Sequence, residues 1–536
     1  MSRFTHEKPK LTEDGERIYK DQEERMDHLK AGKARLLEEI ESAMADLVQE
    51  RRELLPYSAS PISVVPNEIL STLFHELQRT TRATGKPMVP HAEIILSHVC
   101  SHWRAVVLSL PSMWCVFHRD GRLVFNDRAL ELDRQTEARL AAYLDRSREH
   151  PFDFWVKLEP TRQHFRHGAQ HLKLTTQLLS VILPHLHRFR VFHLLLGVQQ
   201  VPGEFWKMLA MASVPLLEIC AICPDLAQPN TTRYSAETEL DTFQGGALSL
   251  KYLRLDETSL FVIRPPLQTV VDLRIERRLE EGPAWIPNGV LAEIFALPNL
   301  QTLSLFGDIF SFQAAGGGAI PNRPIHAQNL KHIRSTGTYI TVFLYSHVLA
   351  PSLESITLSG LEEDEISASS LARIPAHAVF PSLRVVAITA AWIGFPNDLR
   401  ALQIIMSQNV EELSFLGGTA YTRPKEVFRT LVGANGMPSS QQKIKKATLS
   451  MRAFSDSEEI GYYHQFIQAR PNLEILRVPS ACLQPLTDFM DGLPSSIKIQ
   501  AIDESEPLLP LCWLPGPEWL DTEEDPFLAD CYVWGF

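Results

Sequence analysis

One short phrase recurs along this chain and limits its fold more than any other feature. It is an apolar residue, two residues of any kind, an apolar residue, one of any kind, and a last apolar residue. Copies begin at Phe189, Leu217, Leu250, Val270, Leu300, Leu330, Leu353, Leu383, Val410, Ile444 and Leu473, often after Pro-Asn-Leu or Pro-Ser-Leu. Successive starts lie between 20 and 34 residues apart. A unit of that length cannot bury an apolar face alone, so neighbouring units must stack and share one core. At 536 residues the chain is also too long for a single compact core.

Several copies place a helix before the strand phrase. Phe205, Met208, Leu209 and Ala212 precede Leu217; Leu399, Leu402, Ile405 and Met406 precede Val410. Val427 and Leu431 share a helical face before Ile444, and Ser455 with Glu458 has the spacing of a capping box before Leu473. Strand, loop, helix and next strand give an α/β fold of parallel strands with outer helices. This pattern resembles a leucine-rich-repeat solenoid over residues 175–503. It departs from that family after the strands, where Asn or Cys is expected. Asp308 and Asp225 take the slot in two copies, and Gly197, Ala391 and Gly418 in others. The family's side-chain ladder is therefore not expected, and the repeats read as diverged.

Upstream the chain changes character. Residues 1–12 are expected to lack regular structure. Residues 13–55 contain no proline before Pro56 ends them, and Leu29, Leu36, Ile40, Met44, Leu47 and Leu54 recur near helical spacing among charges. This predicts one long amphipathic helix, either a coiled-coil strand or a solvated helix lying on the next domain; Gly32 and Lys33 weaken a coiled-coil seam. Pro66 fits the first position of a second helix, with Glu68 in its first turn and Ile69, Leu70, Leu73, Phe74 and Leu77 along it. Gln78 to Pro90 reads as a polar loop. A third helix carries Ile94, Ile95, Val99 and Trp103 and continues through Val106 and Val107 to Leu110, where Pro111 stops it. In the linker region 119–174, Glu131 to Glu149 predicts a charged amphipathic helix and Phe152 to Leu158 a strand.

Residues 56–118 are dense in apolar side chains for so short a module, which implies a partner. The segment resembles the F-box, and the whole layout is similar to basidiomycete-type F-box proteins with leucine-rich repeats. Two separated blocks carry the resemblance: Pro66, Glu68, Ile69, Leu70 and Phe74, then Leu96, Ser97, Val99, Cys100, Trp103, Arg104, Leu110, Pro111 and Trp114. Val65 stands where that family usually has Leu. The resemblance implies the substrate-recognition subunit of a Skp–cullin–F-box ubiquitin ligase. The partners would be a Skp-type adaptor and cullin through the F-box, and a protein substrate through the repeats. The implied adaptor contacts are Val65, Pro66, Glu68, Ile69, Leu70, Phe74, Leu96, Val99, Cys100, Trp103, Leu110, Pro111 and Trp114, with Pro66, Ile69 and Leu70 preferred; Val99 and Trp103 read equally as core. A ligase-independent binding scaffold is the alternative.

Other chemistry is weighed down by the sequence. A net charge of −12 supplies no basic stripe for phosphates, so no nucleic-acid partner is expected. The first residues lack a signal-peptide core, and no apolar run reaches membrane-spanning length, so an intracellular home in cytoplasm or nucleus is expected, with no membrane partner. Seven cysteines fit a reduced compartment. Cys220 and Cys223 have metal-like spacing but lie in a strand phrase and read as structural. His164, His167 and His171 would share a helical face, yet Gly168 interrupts it and no carboxylate is in step; a solvated polar face is the reading, with zinc the alternative. The Gly316–Gly318 run has no phosphate-loop context, and no catalytic constellation is found, so neither enzyme activity nor a cofactor is expected. The acidic, aromatic stretch 504–536 is expected to cap the last repeat.

Overall fold

The computed structural model describes residues 20–21, 24–33, 35, 38–39, 42–46, 65–83, 91–122, 129–159, 177–196, 203–223, 241–256, 265–276, 288–307, 324–336, 338–359, 380–389, 409–416, 443–450, 457–489 and 497–502. The chain separates into two units, Met1–Leu73 and Phe74–Phe536. In the first, the described part of 20–46 is helical and exposed, with Met26, Leu29 and Met44 open and Lys30 paired to Asp27 at 3.0 Å.

The second unit is built on parallel strands. Among the described residues fourteen of them form one sheet: β1 Val116–Arg122, β2 Phe152–Glu159, β3 Phe189–Leu196, β4 Ile219–Cys223, β5 Tyr252–Asp256, β6 Asp272–Glu276, β7 Thr302–Phe306, β9 His332–Thr336, β11 Ser355–Ser359, β12 Val385–Thr389, β13 Glu412–Leu416, β14 Lys446–Ser450, β15 Ile475–Val478 and β16 Lys498–Ala501. Strands adjacent in this sheet follow one another in chain order, with β8 and β10 passed over, and every pairing is parallel. Two short strands, β8 Ile325–His326 and β10 Val348–Leu349, pair separately. Sequential order in a parallel sheet is the arrangement a solenoid requires, because each unit hands the chain to its neighbour.

The phrase explains the core. All eleven leading residues, from Phe189 and Leu217 to Leu473, are buried, and the later apolar slots fall in register across the sheet. Phe192, Cys220, Leu253, Leu273, Leu303, Ile333 and Ile356 form one buried row, and Leu194, Ile222, Leu255, Ile275 and Leu305 the next. Side chains alternate across a strand, so the intervening positions point to the other face. There Arg254 donates to Glu276 Oε2 at 2.8 Å, both groups buried, and Arg274 also pairs with Glu276. Trp155 stacks on His193 with ring centroids 3.4 Å apart.

The sheet reaches further toward the N-terminus than the repeat phrase does. Phe117 and Phe154 extend the buried row into β1 and β2, although neither strand carries a full copy. Between them runs helix α4 Ala129–Ser147, two residues off the expected start and end. Arg188 fastens this helix to β3: its guanidinium donates to Leu144 O at 2.7 Å and to Ser147 Oγ at 2.8 Å. A cation at a helix C-terminus satisfies orphan carbonyls and opposes the dipole. Burial weakens Arg188's hold on its proton, against the pull of Glu149.

Among the described residues, side-chain clamps lie at the entry to several strands. Asn299 donates to Gln268 O at 2.8 Å, Asn329 to Pro298 O at 2.6 Å and Ser249 to Pro215 O at 2.7 Å. Each of these residues sits just before a leading apolar residue and clamps one unit to the turn of the unit before. A backbone ladder accompanies them, in which Lys251 N donates to Glu218 O, Gln301 N to Val271 O and Lys331 N to Gln301 O. Lysines at the entry to β14 bond the unit before in the same way: Lys443 donates to Asn409 Oδ1 at 2.6 Å and Lys446 pairs with Glu412 at 3.2 Å.

Helices occupy several connections: α5 Gly203–Met211, α6 Asn288–Phe295, α7 Thr338–His347, α8 Ser457–Gln468 and α9 Ser480–Phe489. The helix expected before Leu217 is α5, and α8 begins two residues inside the expected capping box. The helices expected around Leu402 and Val427, residues 1–12, and the stretch 504–536 lie outside the described residues. Two glycines give opposite expectations. A Cβ at Gly245 would sit 2.9 Å from Ala212 O and Ser213 Cα, whereas at Gly461, inside α8, it would meet nothing within 4 Å. In urea denaturation Gly245→Ala should therefore lower the unfolding free energy by about 1–3 kcal/mol, and Gly461→Ala should raise it by up to about 1 kcal/mol.

Candidate partner-binding interface

Helix α1 spans Asn67–Ala83. Its first hydrogen bonds run from Ile69 N and Leu70 N to Pro66 O, both 3.1 Å, so Pro66 lies one position ahead of the helix it was expected to begin. The helix also continues through Gln78 into the stretch expected to be a loop. Threonines and serines there are tolerated because their hydroxyls return to the carbonyl one turn back, as Ser71 does to Asn67 O at 2.7 Å and Thr81 to Leu77 O at 2.8 Å.

Residues four apart share a helical face, and α1 has two such rows. Leu70, Phe74 and Gln78 are buried, Leu70 with only 1% of its surface exposed. Ile69, Leu73 and Leu77 form the second row and remain 53%, 55% and 42% exposed. Among the described residues these are three large aliphatic side chains at one helical spacing, each about half exposed, and an exposed apolar stripe is a feature of protein-binding helices.

The third expected helix is two. α2 Ala92–Val99 and α3 Ser101–Ser109 are separated by Cys100, whose backbone is extended (φ −157°, ψ 169°). The break leaves unsatisfied groups on both sides, and side chains close them. Cys100 Sγ accepts from Trp103 N at 3.4 Å, and Arg104 Nε donates to Ser97 O at 2.7 Å. A 3₁₀ turn, Pro111–Trp114, follows, and Trp114 Nε1 donates to Val107 O at 3.0 Å. α2 exposes Ile95 and Val99, and α3 exposes Leu108.

A buried polar network ties these pieces together. Glu93 is buried; its Oε2 accepts from Gln78 Nε2 at 2.9 Å and its Oε1 from Tyr143 OH at 2.6 Å, while Gln78 also donates to Met113 O at 2.8 Å. Low local dielectric strengthens each bond and makes loss of any one costly. The Tyr143 ring stands edge-on to Trp114 and Phe117, with centroids 5.1 and 5.6 Å away. His75 meets Ser112 Oγ at 2.7 Å, and Phe74 packs on Trp103 with centroids 5.0 Å apart.

The expected contact residues thus divide by burial. Pro66, Glu68, Ile69, Val99 and Cys100 are exposed; Val65, Trp103, Leu110 and Pro111 are half-buried. Leu70, Phe74, Leu96 and Trp114 are buried. Leu73, Leu77 and Ile95 were absent from the expected set and are among the most exposed aliphatic side chains of this region.

His164, His167 and His171 lie outside the described residues. Among the described residues no group of three or more potential metal ligands is found, and no helix is long and apolar enough to cross a membrane. Cys220 is fully buried, and burial pushes its thiol far above the usual range, which leaves it without a reactive thiolate.

No family model matches this chain, and no curated protein matches it either. Tyr143→Phe keeps the ring packing but removes a donor from a buried carboxylate. It should cost about 1.5–3 kcal/mol in chemical denaturation.

Proposed function

We propose that this chain is the substrate-recognition subunit of a Skp–cullin–F-box ubiquitin ligase, with residues 56–118 acting as the F-box. The observation that carries this reading is the row Ile69, Leu73 and Leu77, exposed along one face of α1. The order of the two sequence blocks, from Pro66 to Phe74 and from Leu96 to Trp114, supports it. A Skp-type adaptor would cover the row and bring cullin with it, and the sheet-based repeats would hold the target protein. The chain itself would make or break no bonds. Its contribution would be effective concentration, since a tethered target presents its lysines near a conjugating enzyme far above their free level. This role belongs in the cytoplasm or nucleus and calls for no cofactor.

Covering one half-exposed aliphatic side chain contributes on the order of 1–2 kcal/mol. The double variant Ile69→Asp with Leu73→Asp should therefore weaken adaptor binding by roughly 100-fold while the circular dichroism of the chain stays unchanged. Leu70→Asp should instead lower thermal stability, because it buries a charge. The measurement is affinity purification of the full chain from its source cells, with adaptor and cullin quantified. Undiminished adaptor recovery with the double variant would end this reading. Adaptor recovered without cullin would favour the ligase-independent scaffold.

A further inference from the structure

The large sheet has a second face, opposite the apolar rows, and much of that face is buried too. Side chains that alternate with the core rows point to it. Toward the N-terminal end they are apolar. Trp155, Val191 and Ile219 pack together and Leu195 packs on Ala221, each with less than a tenth of its surface exposed. Farther along, Arg254, Arg274 and Arg334 fall in one register row on β5, β6 and β9 and are 4%, 6% and 2% exposed. Small side chains continue the row through Thr357, Ala387, Ser414 and Thr448 to Arg477, and it ends at Gln500 on β16.

An arginine on an open sheet face keeps its head group in water. Burial this deep therefore means that another part of the chain lies over the face. Among the described residues the two apolar clusters contain strand side chains and none from a helix. The cover must also suit charge, because a buried guanidinium is costly unless acceptors meet its donors. Glu276 already serves two of them, accepting from Arg254 at 2.8 Å and pairing with Arg274. Asp256 and Asp272 stand on the rows to either side, and the arginine row itself holds no carboxylate among the described residues.

We infer that the acidic stretch 503–536 lies along this arginine row and occupies the face, rather than capping β16. It starts beside the row's last position: Ile502 N donates to Val478 O at 2.8 Å, two residues beyond Gln500. From β16 to β5 is nine strand spacings, roughly 43 Å, and 34 residues can extend about 110 Å. Nine of those residues are Asp or Glu and none is Lys or Arg, so most of the net charge of −12 sits there. Carboxylates and guanidinium forks make charge-assisted bonds. Trp513, Trp519 and Trp534 supply apolar surface for Trp155, Val191 and Ile219. A protein held by the sheet would have to displace this stretch. That consequence rests on the repeats holding a target; the covered face does not.

Two measurements on the full chain test the assignment. Hydrogen exchange should find the amides of 503–536 protected, and hydroxyl-radical footprinting should find Trp155 shielded. In the triple variant Glu523→Gln, Glu524→Gln and Asp525→Asn, protection of the stretch should fall about 10-fold and oxidation of Trp155 should rise with it. If that variant melts lower than the unaltered chain, about 1 M salt added to the unaltered chain replaces it, with the same two changes expected. Amides of 503–536 that exchange as fast as a free peptide would overturn the inference. So would a Trp155 that stays shielded after the stretch is released, because another segment, such as the acidic run Glu362 to Glu365, then covers the face. Protection that survives both variant and salt assigns the stretch to the end of the sheet, and protection that grows with protein concentration assigns it to a second copy; either result refutes the inference. Neither measurement involves an adaptor, so failure here leaves the ligase reading untouched.

Discussion

Every strand inside the large sheet depends on its two neighbours for its backbone hydrogen bonds. A parallel strand of five residues, such as β5 or β12, cannot satisfy its own amides and carbonyls, and its buried side chains keep water from doing so. The sheet therefore exists only as a run of units in unbroken sequence order. What fixes one unit on the next lies at the entry to each strand. There a buried leading residue, a turn and a backbone bond to the previous unit recur, as at Leu250, where Leu250 N donates to Ala247 O at 3.1 Å and Lys251 N to Glu218 O at 3.0 Å. The helical region at the head of this unit relies on the same logic at smaller scale, with Asp153 N donating to Cys115 O to join the 3₁₀ turn to β2.

The sheet was legible in the sequence because its signal is repeated and local. Each phrase places three apolar residues on one face within six positions, and ten further copies confirm the first. β2 was legible as a strand over Phe152 to Leu158 but not as part of this sheet, and β1 was not legible at all, because neither carries a full phrase. Only the register of the finished sheet shows that Phe117 and Phe154 belong to it. The entry clamps of Asn299 and Asn329 were overlooked for a different reason. The Asn is visible in Pro-Asn-Leu, but the carbonyls it bonds, Gln268 O and Pro298 O, lie about thirty residues upstream and come near only in the folded stack.

The interface was half legible. An apolar periodicity announces a helix, but α1 bears two aliphatic rows about a quarter-turn apart, and nothing local says which one faces inward. The inward row even ends in Gln78, whose burial makes sense only once Glu93 and Met113 O, far away in sequence, are brought to it. Cys100 concealed a helix break for a related reason. The apolar spacing runs straight through it, and the groups that stabilise the break, the Cys100 thiol and the Arg104 side chain, belong to residue types that are also at home inside a helix.

The entry clamps have an implication for how such a chain can diversify. They fix where each strand begins but place no condition on how many residues separate one strand's exit from the next turn, and those intervals already differ widely. Foreign segments of quite different length can be spliced into the exits of β5, β7 or β11 without disturbing strand register. The sheet thus serves as a chassis on which new contact loops can be exchanged one at a time.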